Sequence, residues 1–181
     1  MAFASLFVPD FPVQAVVRLE PELQGKAVAV LAGAPPLTKV FAVNREARSL
    51  GVEAGMTKVQ AEAFQGIIWR WRSLSQEATA YAALLDCAWT ISPRIEDGAK
   101  PEGQDFCDTA VLDIAGCEKL FGSPEKIARD LRRVSLGSST RMFRSARYRI
   151  RGRRCASPVR FHRELQSFQQ IWKATTVFPV A

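Results

Sequence analysis

Two arginines three residues apart, Arg45 and Arg48, directly follow Asn44. If Asn44 caps a helix there, both guanidiniums lie on one face near its N-terminus. Fork-shaped guanidiniums and free backbone N–H groups both favour phosphate, so the pair is a candidate anion site. Two solvated surface arginines would show the same spacing, and that reading stays open. A second basic concentration runs from Thr140 to Arg163, with nine arginines and no acid, interleaved with Phe143, Tyr148, Ile150 and Phe161. Arg147, Arg149, Arg151, Arg153 and Arg154 form its densest part and are candidate nucleic-acid contacts, neutralising phosphates while aromatic rings stack on bases. An accidental or disordered basic segment would have the same composition. The four cysteines (Cys87, Cys107, Cys117, Cys155) form no CxxC pair, and His162 is the only histidine, which argues against a zinc site.

The charge is split along the chain. Residues 1–128 hold 12 Lys+Arg against 16 Asp+Glu, and residues 129–181 hold 13 against 2. A net −4 is thus followed by a net +11, which places a boundary near residue 136 and makes basicity a property of the tail. No apolar run reaches the ~18–20 residues of a bilayer span. Met1–Val8 lacks a basic n-region and reads as a first strand, so no membrane association and a cytoplasmic location are expected.

The elements that would position these residues follow from period and punctuation. Phe3–Val8, Ala27–Leu31, Lys39–Val43, Ile67–Trp71 and Ala110–Ile114 are apolar runs of strand length. Val13–Leu19 reads as a helix with Pro12 at its start. Asn44 caps a helix over Arg45–Leu50, which Gly51 ends. Thr57 and Gln60 fit a capping box opening a short helix to Phe64. Ser75–Ile91 is the longest helical stretch, with Ala78, Tyr81, Ala82, Leu85, Cys87, Ala88 and Trp89 as its apolar face. Ser123-Pro124-Glu125 starts another, along which Ile127, Leu131 and Val134 recur. The order predicts a mixed α/β (α+β) domain over residues 1–136, followed by an Arg-rich tail over 137–181 that is poorly ordered and has no assigned element.

Several of these segments resemble the palm and fingers of Y-family (UmuC-type) DNA polymerases. The family pattern N-Y-x-A-R-x-x-G-[VI]-x-x-x-M is met by Asn44, Ala47, Arg48, Gly51, Val52 and Met56, with Arg45 where the family has Tyr. The resemblance implies that Arg45 and Arg48 face a nucleotide triphosphate. The family pattern S-[LIV]-D-E-A-[YFW]-[LIV]-D aligns with Phe106–Asp113. Asp108 matches the first acid, Thr109 stands in place of the essential Glu, and Asp113 matches a structural acid. The D-x-D that ends the first strand aligns with Val8-Pro9-Asp10, placing the liganding acid on Val8. A two-residue slip would make Asp10 the ligand.

The resemblance implies a palm-like sheet with packed helices and a small helical fingers insertion at about 44–65. In the family, three carboxylates hold two metal ions. Here Asp108, or at best Asp10 and Asp108, is left, so Asp108 is expected to be vestigial and no cofactor is expected, with Mg²⁺ needed only if a site survives. Leu6–Val16 and Leu112–Gly122 are similar to the non-catalytic ImuB-like branch. That likeness implies an adaptor in DNA repair and translesion synthesis, with DNA, a replicative-type polymerase, a sliding clamp and a RecA-like protein as partners. The family's thumb, DNA-gripping domain and clamp-binding peptide are not recognisable after Leu136. The expectation is therefore an adaptor, or a remnant truncated after about residue 136, with an out-of-frame stretch as one origin of the tail. A weak metal-dependent translesion polymerase and a nucleic-acid-binding module acting through the tail are the alternatives.

Overall fold

The computed structural model describes residues 2–97 and 108–137, and the backbone of residues 147–152. Its strands divide between two sheets. In the first, β1 (Ala2–Phe7) pairs antiparallel with β6 (Thr109–Asp113), setting Phe3 opposite Asp113 and Phe7 opposite Thr109. The short β5 (Ile95–Asp97) extends the β6 edge, and β7 (Arg147–Gly152) lies antiparallel on the other edge of β1. The spatial order is β5-β6-β1-β7.

Strand alternation explains the core of this sheet. Ala4, Leu6 and Val8 share a face with Ala110, Leu112 and Ile114, and all six are fully buried. Two helices cover them. α4 (Leu74–Trp89) supplies Ala80, Leu84, Cys87 and Ala88, and α6 (Pro124–Leu136) supplies Ile127 and Leu131. Each large aliphatic side chain buried here contributes about 1.5–3 kcal/mol.

The second sheet has β2 (Val28–Ala32) at its centre, antiparallel to β3 (Lys39–Val43) and parallel to β4 (Ile68–Trp71). β2 is covered on both faces, which is why it reads as an unbroken apolar run. Val28 and Val30 pack on Val13, Val16 and Val17 of α1 (Phe11–Leu19). Ala29 and Leu31 pack with Ala47 of α2 (Arg45–Ser49), Val52, and Ala61 of α3 (Lys58–Ala61). These two short helices are the fingers insertion. Thr57 caps α3 in a reciprocal box with Gln60, as its sequence predicts. Gly51 closes α2 at φ +97°, where a Cβ would stand 2.7 Å from the Phe64 ring.

A buried ion pair joins the two sheets. Arg72, just past β4, places Nε 2.8 Å and Nη2 2.9 Å from the Glu77 carboxylate on the first turn of α4, and its guanidinium stacks 4.1 Å over the Phe41 ring of β3.

The palm-like sheet is β5-β6-β1-β7, and β2, β3 and β4 form a sheet of their own. The structure corrects the sequence reading in three places. The buried face of α4 runs through Glu77, Ala80, Ala83, Leu84, Cys87 and Ala88, whereas Ala78, Ala82 and Trp89 are exposed. Five alanines on one helix blur the apolar stripe, and a partnered Glu77 inside it cannot be foreseen from period. β5 and the one-turn α5 (Glu118–Phe121) are too short to show a period. Finally, a strand occupies residues 147–152, where no element was expected. Arg147-Tyr148-Arg149-Ile150-Arg151 does alternate with the two-residue period of a strand, a signal masked by the arginine-dense run around it.

Candidate functional site

Where β1 ends, the Val8 N–H donates to the Asp108 carbonyl at 2.9 Å, so Val8, Asp108 and Thr109 meet at one end of the first sheet. Val8 is fully buried and belongs to the core with Leu6, Phe11 and Leu112. The Thr109 hydroxyl donates to Asp108 Oδ1 at 2.8 Å, and the Thr109 carbonyl accepts from the Tyr81 hydroxyl at 3.4 Å. The Tyr81 ring meets Phe11 edge-on, with centroids 6.5 Å apart. Among the described residues, this end of the sheet sets the Asp108 carboxylate against a hydroxyl and a packed apolar wall.

Asp10 lies just beyond, in the left-handed conformation at φ +52°. Its carbonyl accepts the N–H groups of Val13 and Gln14 at 2.9 and 3.1 Å and so opens α1. Its carboxylate does not cap that helix but accepts from Arg48 Nη2 at 2.8 Å. The same nitrogen donates to the Val43 carbonyl at 3.2 Å, so Arg48 ties the start of α1 to the end of β3.

Asn44 sets the direction of α2. Its Oδ1 accepts from Ala47 N–H at 2.9 Å and Val28 N–H at 3.1 Å, and its Nδ2 donates to the Lys26 carbonyl at 2.7 Å. One buried side chain thus caps α2 and fixes it to β2, which aims Arg48 at Asp10. Arg45 is exposed on the same helix. With five residues, α2 is too short for its dipole to carry an anion site, so any phosphate affinity here must come from the two guanidiniums.

The sequence-derived residues thus fall into three groups. Asp10 and Arg48 are brought together, a partnership across 38 positions that no local pattern announces. The Asp108 carboxylate accepts from the Thr109 hydroxyl. Arg147, Arg149 and Arg151 stand in register opposite Phe7, Ser5 and Phe3 of β1, while Arg153 and Arg154 lie outside the described residues. Asp113 is structural, as the resemblance implies. Its carboxylate accepts from Ala115 N–H at 2.9 Å and faces Arg94 at 3.2 Å.

Mg²⁺ demands near-octahedral oxygen ligation and is held through carboxylates. Among the described residues here, Val8 offers no side-chain ligand, Thr109 offers a neutral hydroxyl, and Asp10 is engaged by a cation. Among the described residues no group of three or more His, Cys, Asp or Glu is placed to share a metal. Burial, and next the neighbouring Asp86 charge, push the Cys87 thiol up to about 11, so it is a core residue and not a nucleophile.

Comparison with known proteins identifies the architecture. The impB/mucB/samB family model matches residues 6–138. DNA polymerase IV of Pelotomaculum thermopropionicum is 35% identical over 115 residues, covering 61% of this chain and 26% of that protein. DNA polymerase IV 2 of Mesorhizobium japonicum is 34% identical over 123 residues, covering 66% and 27%. The chain therefore spans about a quarter of the length of the curated relatives it matches. Among solved structures, an insertion ternary complex of Dbh DNA polymerase superposes with a TM-score of 0.69 at 20% identity, over 85% of this chain and 43% of that one. DinB from Sulfolobus solfataricus gives 0.67 at 20% identity, over 85% and 43%. The two sheets, their covering helices and the family match together carry one conclusion: the chain belongs to the impB/mucB/samB family, the Y-family (UmuC-type) DNA polymerases.

Proposed function

We propose that this chain is a non-catalytic Y-family homologue that serves DNA repair and translesion synthesis as an adaptor. The observation that carries the proposal is that Val8, whose N–H donates to the Asp108 carbonyl just past β1, and Thr109, the first residue of β6, stand where the resemblance puts two of the three metal-liganding acids. Two-metal phosphoryl transfer needs both the attacking and the leaving oxygen stabilised by cations. One carboxylate beside a hydroxyl does not assemble that charge. In this reading Arg45 and Arg48 remain an anion-facing pair without a reaction to serve. DNA, a replicative-type polymerase, a sliding clamp and a RecA-like protein are the proposed partners, with the arginines at 147, 149, 151, 153 and 154 as the DNA-contacting set. A cytoplasmic location accords with this role. Among the described residues no helix is long and apolar enough to cross a membrane.

A second reading, a weak Mg²⁺-dependent polymerase, draws on the presence of Asp108, Asp10 and Arg48 and on the polymerases it is similar to. Calorimetry with a deoxynucleoside triphosphate and Mg²⁺ or Mn²⁺ separates the two, with Asp108→Ala as control. The adaptor reading expects no metal-dependent nucleotide binding and no primer extension. Metal-dependent binding abolished by Asp108→Ala would overturn it. Replacing the five tail arginines with glutamine should weaken DNA binding and flatten its salt dependence. Unchanged affinity would remove the tail from the interface.

A further inference from the structure

We infer that Asp10 is a built-in anion that occupies Arg48 and masks it from phosphate, an inference that rests on the reading of Arg48 as the phosphate-side arginine. The first observation is the contact itself, Asp10 Oδ1 to Arg48 Nη2 at 2.8 Å. The second is what Asp10 forgoes to make it. An aspartate at a helix N-cap ordinarily adopts extended backbone and accepts an N–H from the first turn. Asp10 instead sits at φ +52° and makes no side-chain cap to α1. It is the only non-glycine residue at positive φ among the described residues, a conformation that disfavours L side chains. The backbone that strain permits turns the carboxylate away from its own helix and toward a residue 38 positions on. The third observation is that the nitrogen of Arg48 that meets Asp10 also donates to the Val43 carbonyl, which fixes the guanidinium at this corner. A carboxylate in that place supplies the charge complement a phosphate would, and a phosphate approaching Arg48 must compete with it.

The mask is weak by construction. The Arg48 side chain is 52% exposed and that of Asp10 28%, so water screens the pair. Competition of this strength corresponds to roughly a 3–10-fold loss of phosphate affinity, comprising the contact to be broken and the repulsion of a nearby negative charge. Arg48 is thereby tuned down, not silenced.

The test is calorimetric titration of the full chain with inorganic triphosphate in EDTA, comparing wild type, Asp10→Asn, Arg48→Ala and the double variant. Asparagine tolerates the left-handed conformation, so Asp10→Asn removes the charge and keeps the turn. Asp10→Gly provides the same check without a side chain. The expected result is a roughly 3–10-fold tighter triphosphate affinity in Asp10→Asn, abolished when Arg48→Ala is added. If Asp10→Asn binds as wild type does while Arg48→Ala weakens both, Arg48 is the phosphate contact and the mask is refuted. If Arg48→Ala changes nothing in the Asp10→Asn background, the phosphate role of Arg48 fails, and the mask with it. In the same titration repeated with Mg²⁺ in place of EDTA, loss of a Mg²⁺-dependent affinity on Asp10→Asn would make Asp10 a metal ligand and overturn both.

Discussion

At the β1–β6 end, polar chemistry has been folded into the core: Val8 packs with Leu6 and Phe11, and the Thr109 hydroxyl is spent on its neighbour. At the β3–α2 corner the opposite holds. Asn44 uses its side-chain atoms to tie three backbone groups, and Arg48 reaches across to Asp10. One region gives its side chains to packing, and the other positions a cation. On the adaptor reading proposed above, a scaffold keeps the placement of a binding residue beside a centre that no longer reacts. The hydrogen bonds of Asn44 serve the fold as well as the site, whereas a metal-binding carboxylate serves only the metal.

Four perturbations test that contrast, in descending order of effect. Val8→Asp should cost about 3–5 kcal/mol, because the new carboxylate would be buried without a partner. Chemical denaturation in EDTA would measure it. Recovery of the lost stability with millimolar Mn²⁺ would show an opening for a cation and break the comparison. Asn44→Ala should cost about 2–4 kcal/mol, since it uncaps α2 and strands the Val28 N–H and the Lys26 carbonyl. The same denaturation series reads it out. A loss below that of an ordinary exposed cap would mean α2 is anchored by other means.

Gly51→Ala is expected to cost about 1–3 kcal/mol, from a Cβ at positive φ and its 2.7 Å approach to Phe64. Phe64→Ala in the same chain should relieve the clash but not the backbone strain, which a double-mutant cycle resolves. The smallest effect concerns the seam between α1 and β4, where the Glu20 carboxylate binds the Arg70 guanidinium through Nε and Nη2. That hydrogen bonding holds the Glu20 carboxyl below its ordinary 4.5. A folded value below the unfolded one gives stability that is complete above the unfolded value and is lost as pH falls through the folded one. About a third of each side chain is exposed, so the loss on acidification should be about 1 kcal/mol or less. Wild type and Glu20→Gln compared at pH 7 and pH 3 would show it.

Much of this architecture is legible in the chain. Pro12, Asn44, Thr57 and Ser123 mark four helix starts through local chemistry, and the run at Lys39–Val43 is the strand as observed. Local rules also point to α4 but not to its buried face, because alanine fits either side of a helix. What stays hidden is long-range. The partition into two sheets depends on β2 accepting neighbours on both edges, and the Asp10–Arg48 and Arg72–Glu77–Phe41 contacts join residues with no shared period. At the site, the sequence shows Val8 and Thr109 at positions where the resemblance implies acids. It does not reveal that Asp10 is already spoken for.

The pairing of β1 also bears on how the chain is made. The second sheet draws its strands from residues 28–71, so a ribosome has released all of it early in synthesis. β1 precedes that sheet in the chain, yet Phe3 meets Asp113 on one edge and Arg151 on the other. Both partners follow the whole second sheet in the chain, and closing so long a loop carries an entropic cost before any contact repays it. β1 is thus secured only after the strands that follow it have been made, and in the interval its unpaired edges are open to capture by a chaperone or by another chain.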